Sequence, residues 1–156
     1  YVVRHGRGSR LGETVYGLHL REQIEGEYKN IVVSNFDKSG NDFHPFYIEE
    51  GDNTNDNLTT NGDGTLTLGG NFAFNNANTS EDLPYTNDLG ITYADVMFND
   101  AANYDFSLQS GSPALTGGVE VPSDDFFTPV TFSGGVGETG SENDWTSGAT
   151  WIKWSE

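Results

Sequence analysis

The chain has 156 residues, the size of one domain, with 24 acidic side chains against 7 basic, a formal net charge of -17 and no cysteine. This excludes a disulfide framework and thiol chemistry, and so negative a field repels phosphate backbones, which argues against general nucleic-acid binding. No apolar run reaches the roughly 18 residues of a membrane-spanning helix, while 13% aromatic residues are too many for a disordered acidic tail.

Taken in chain order, the sequence opens on Tyr1-Val2-Val3 with neither an initiator Met nor a charged leader, and reads as a piece of a longer chain without a signal peptide. Residues 1–38 hold six of the seven basic side chains, and beyond Lys38 only Lys153 is basic. The stretch Val3-Arg4-His5-Gly6-Arg7 resembles the opening of histidine phosphatases. That chemistry needs a second histidine late in the chain, and the last one here is His44, so the expectation is a glycine-bearing turn. Short β-patterned pieces follow: Tyr1–Arg4, Tyr16–Leu20, Asn30–Phe36, Phe46–Glu49, Thr65–Leu68, Asn71–Phe74, Phe106–Leu108 and Pro129–Phe132. Period two is clearest where Leu18 and Leu20 alternate with His19, and at Leu66 and Leu68. Helix signals are nearly absent. Ala94–Phe98 predicts a turn or two of helix at most, since Gly, Asn and Asp break the other windows.

Strands of three to five residues, Asn-Gly turns and recurring asparagines predict a solenoid, in which stacked coils share one core and turn asparagines ladder from coil to coil. The segments Asn30–Phe36 and Gly70–Asn76 share one shape, a polar corner around a run of β-formers. The fold class is therefore all-β, a parallel β-helix, with an antiparallel β-sandwich as the alternative. Coils occupy residues 1–115 and an aromatic-rich capping segment occupies 116–156.

Leu66–Asn76, followed by Asn103-Tyr104-Asp105-Phe106-Ser107-Leu108-Gln109-Ser110-Gly111-Ser112-Pro113-Ala114-Leu115, resembles the end of secreted right-handed parallel β-helix proteins of Bacteroidota type, in the pectate-lyase-like superfamily. The tail, from Asp125-Phe126-Phe127 to Phe132 and then Asp144-Trp145-Thr146, is similar to their cap. The resemblance implies a secreted or cell-surface module, exported by the type IX route.

Candidate sites are few. The acidic loop around Asp52, Thr54 and Asp56, with Asp63 eleven residues after Asp52, offers hard oxygens at alternate positions and is the calcium candidate. It lacks the glycine and the final glutamate of an EF-hand loop. Asp37, Asp42, Glu49 and Glu50 are the carboxylates a sugar-cleaving site would draw on. Three histidines spaced 14 and 25 residues apart form no metal signature, and His19 alternates away from the core leucines. Trp145, Trp151 and Trp154 concentrate indole rings in the last residues, where they either stack on sugar or close the open end of a solenoid. The expected function is a non-catalytic structural, adhesive or glycan-facing module, with polysaccharide or neighbouring coils and subunits as partners. A calcium-dependent polysaccharide lyase or glycosidase fragment is the alternative.

Overall fold

A computed structural model describes residues 2–4, 15–34, 43–49, 54, 64–74, 90–122 and 126–151. Among them the chain is all-β, without an α-helix. The strands are β1 (Val2–Arg4), β2 (Val15–Leu20), β3 (Gly26–Lys29), β4 (Val32–Ser34), β5 (Phe43–Ile48), β6 (Leu66–Gly69), β7 (Asn71–Phe74), β8 (Ile91–Tyr93), β9 (Phe98–Asp100) and β10 (Asp105–Leu108). Each strand is six residues long or shorter.

The sheets are small: one of four strands in the order β1-β4-β7-β8, and the pairs β2-β5, β3-β6 and β9-β10. Every pairing among β1 to β8 is parallel, and β9 with β10 is antiparallel. Parallel neighbours cannot be joined by a tight turn, so the chain must leave a sheet before it returns. Here β1 is followed by β2 and β3 in two other sheets before β4 pairs beside it, and β5 and β6 repeat the excursion before β7.

The corners before β4, β7 and β8 share one backbone state. The registers Val32↔Phe72 and Asn71↔Ile91 place Asn30, Gly70 and Gly90 at equivalent positions, and all three have positive φ, at 58°, 61° and 65°. Side chains are costly there except for glycine and asparagine. A Cβ on Gly70 would collide with Asn30 Oδ1, and one on Gly90 would sit 2.7 Å from Gly69 Cα. Among the described residues, Asn30 and Asn71 do not ladder: register aligns Asn30 with Gly70, and Asn71 with Ile31. Each bonds backbone instead. Buried Asn71 accepts from Ile31 N at 2.9 Å and donates to Tyr28 O at 2.9 Å. Asn30 grips Val119 twice, Nδ2 donating to its carbonyl and Oδ1 accepting from its N–H.

Two apolar clusters share the sheet β1-β4-β7-β8. The inner one gathers Leu20, Phe46 and Ile48 from β2 and β5, Leu66 from β6, and Val33, Ala73 and Ile91 from β4, β7 and β8. The outer one sets Val32 and Phe72 against Val96, Leu108, Ala114 and Phe132. A sheet buried on both faces needs unbroken apolar runs. Val32-Val33 and Phe72-Ala73 supply them, and all four are buried.

The outer cover is built from residues 112–119 and 130–136. Gly134 N donates to Asn30 O at 2.8 Å, Ser133 Oγ to Gly70 O at 2.6 Å, and Ser133 N to Ala114 O at 2.8 Å. Leu115 and Phe132 belong to this one cluster, so packing is continuous across residue 115.

Three local expectations need correction. Ala94–Phe98 holds no helix: the Asp95 carboxylate takes the Met97 N–H at 2.8 Å, Met97 has φ 52°, and Phe98 starts β9. Pro129–Phe132 is not a strand. Proline brings no N–H to a ladder, and Thr131 instead accepts from Gly118 N at its carbonyl and donates its hydroxyl to Leu115 O. Gly26–Lys29, Ile91–Tyr93 and Phe98–Asp100 are strands that the apolar pattern did not mark.

Candidate functional site

Two aromatic surfaces stand out once the core is assigned. The first lies on the outer face of β2 and β5. Leu18, Leu20, Phe46 and Ile48 point into the inner core, so alternation turns His19 and Tyr47, which are register partners, outward. Glu49 follows on the same side of β5, its N–H donating to Leu20 O at 2.8 Å. No register pair joins Gly17 to Pro45, which lacks a ladder N–H and is buried. Across that break Tyr16 joins the outward rings. Tyr16 and Tyr47 stack at 4.5 Å between centroids and 20° between planes, and His19 lies 4.3 Å from Tyr16 and 5.2 Å from Tyr47. His19 Nε2 meets Glu49 Oε2 at 3.0 Å, with 24% and 34% of the two side chains exposed. Each ring contact contributes about 0.5–1.5 kcal/mol, and a half-exposed pair of this kind contributes at most about 1 kcal/mol.

The second surface is carried by the loop after the outer cover. Leu108 of β10 bridges to Glu138, and Ser107 Oγ meets Thr139 Oγ1 at 2.8 Å, which fixes where the loop begins. Asp144 then organises the turn: its carboxylate accepts from Gly140 N at 2.8 Å, from the Thr146 hydroxyl, and from Ser147 N at 3.2 Å. Burial alone would raise its pKa, but these donors outweigh that and hold it below the ordinary value of 3.8. Asp105 behaves alike. Burial would raise it, while Ser107 and Asn99 bonds bring it down. Beside Asp144, Trp145 Nε1 donates to Gly135 O at 2.6 Å, fixing the indole. Trp151 stacks on it with centroids 5.9 Å apart and planes 11° from parallel. The rings remain 53% and 74% exposed. The buried aromatic of the segment is Phe132, in the outer cluster.

Of the predicted ligand-contacting tryptophans, the structure brings Trp145 and Trp151 together, and Trp154 lies outside the described residues. Of the predicted calcium ligands, Asp52, Asp56 and Asp63 lie outside the described residues. Thr54 is fully buried, and its hydroxyl accepts the Gln23 N–H at 2.8 Å. Among the described residues, no three or more His, Asp or Glu side chains gather as a metal site would need. Asp37, Asp42, Glu50 and His5 also lie outside them. Sequence reasoning missed the partnership of Tyr16, Tyr47 and His19 with Glu49. Its signal was the outward parity of His19, but Tyr47 and Glu49 sit about 30 residues away and only register joins them to it.

No protein-family model, no curated protein and no solved structure matches this chain.

Proposed function

We propose that the chain is a right-handed parallel β-helix module of a secreted or cell-surface protein, with a non-catalytic, glycan-facing role. Parallel pairing of strands three apart in the chain, with a recurring left-handed corner at Asn30, Gly70 and Gly90, supports the winding. The glycan-facing role is carried by one observation: Trp145 and Trp151 form a fixed, parallel and exposed indole pair. Leaving two indoles in water forgoes their burial, and flat exposed rings suit the C–H faces of sugars. A net charge of -17 selects neutral polysaccharide over acidic.

The test is affinity electrophoresis through gels containing a neutral β-glucan. The chain is retarded, and the Trp145→Ala/Trp151→Ala double variant migrates as if the glucan were absent. Equal retardation of both proteins rejects the indole pair as the contact. Release of reducing or unsaturated ends from the glycan rejects the non-catalytic role.

A further inference from the structure

We infer that the outer face of β2 and β5, formed by Tyr16, His19, Tyr47 and Glu49, is a second sugar subsite, separate from the tryptophan pair. The inference rests on the glycan-facing reading above and extends it to residues that play no part in that reading.

The face combines the two things a sugar needs. The stacked tyrosine rings, partly exposed, offer apolar surface to a ring's C–H side. The polar pair beside them has capacity to spare. His19 spends Nε2 on Glu49 Oε2, and among the described residues no further hydrogen-bond partner engages His19 Nδ1 or Glu49 Oε1. In the neutral imidazole, the Nε2–Oε2 hydrogen bond places the proton on Nε2 and leaves Nδ1 as an acceptor. Two acceptors, Nδ1 and Oε1, therefore lie next to aromatic surface. They call for a ligand with two neighbouring donors, and the adjacent hydroxyls of a neutral sugar ring provide them. Phosphate or carboxylate groups would be repelled by the carboxylate and by the overall charge.

The position strengthens the assignment. The outer face of β4 and β7 lies under residues 112–119 and 130–136, which with Val96 and Leu108 bury Val32 and Phe72. The outer face of β2 and β5 keeps half-exposed polar groups, which are poor core material but suit contact with a hydrated ligand.

The experiment titrates the whole chain with cellohexaose. Two nuclear magnetic resonance signals are followed, the imidazole Cε1–H of His19 and the indole Nε1–H of Trp145. Both move in the wild type, and the His19 signal still moves in the Trp145→Ala/Trp151→Ala variant. Glu49→Gln keeps side-chain size and weakens the His19-reported affinity about tenfold, the loss expected for one hydrogen bond to a charged group. Movement of Trp145 with a silent His19 overturns this subsite and leaves the indole reading standing. Silence of both signals overturns both. A His19 shift of unchanged affinity in Glu49→Gln overturns the assigned contacts.

Discussion

The outer faces of β4–β7 and β2–β5 belong to parallel pairs of the same kind but are finished differently. On β4 and β7, Val32 and Phe72 turn away from the inner core and are buried again beneath Ala114, Phe132 and their neighbours. On β2 and β5, the outward positions hold Tyr16, His19, Tyr47 and Glu49, and they stay half exposed. Neighbouring residues point to opposite faces of a sheet, so a strand covered on both sides must be apolar throughout, while one covered on a single side can alternate. The covered face stabilises the fold, and the half-exposed face carries the proposed sugar subsite.

Truncation gives the largest contrast. Phe72→Ala removes a ring held between the sheet and its cover and lowers stability by about 3–5 kcal/mol, the range for phenylalanine truncated in a core. Tyr47→Ala removes a half-exposed ring that contacts Tyr16 and His19 and costs about 1–3 kcal/mol. Urea denaturation reads both, and equal losses would erase the distinction between the faces.

A smaller effect comes from pH and bears on the covered side, where Asp144 anchors the tryptophan loop. Its pKa is depressed in the folded protein, so the unfolded chain takes up the proton first as pH falls. The carboxylate's contribution is complete above the ordinary value of 3.8 and is lost as pH drops through the lowered folded value. Asp144→Asn therefore melts below the wild type at pH 7, and the gap narrows as the solution is acidified. A gap independent of pH would show that the charge on Asp144 does not hold the loop.

The contrast was partly legible in the sequence. Leu18-His19-Leu20 alternates, and it marks β2 as a strand with one open face. Val32-Val33 and Phe72-Ala73-Phe74 are unbroken runs, the mark of strands covered twice, yet nothing local says that Ala114 and Phe132 supply the cover. β3, with Gly26-Glu27 exposed, carries no apolar alternation and owes its strand state to pairing with β6. At β8, Ile91–Tyr93 runs directly into a window that suggested helix, and the turn made by Asp95 with Met97 separates it from β9. The tryptophans were visible as a concentration of rings, but which of them stays exposed depends on Gly135 and Asp144 fixing the loop. Tyr16 and Tyr47 meet only through the parallel register of β2 with β5, and register across about 30 residues cannot be read from local pattern.

The central claim is that one outer face is closed and another open, and paramagnetic broadening by a soluble nitroxide tests it directly. Signals of the Val32 methyls and the Phe72 ring should keep their intensity, while the Tyr47 ring and the His19 Cε1–H broaden. Broadening of the Val32 methyls to the same extent as Tyr47 would contradict the account.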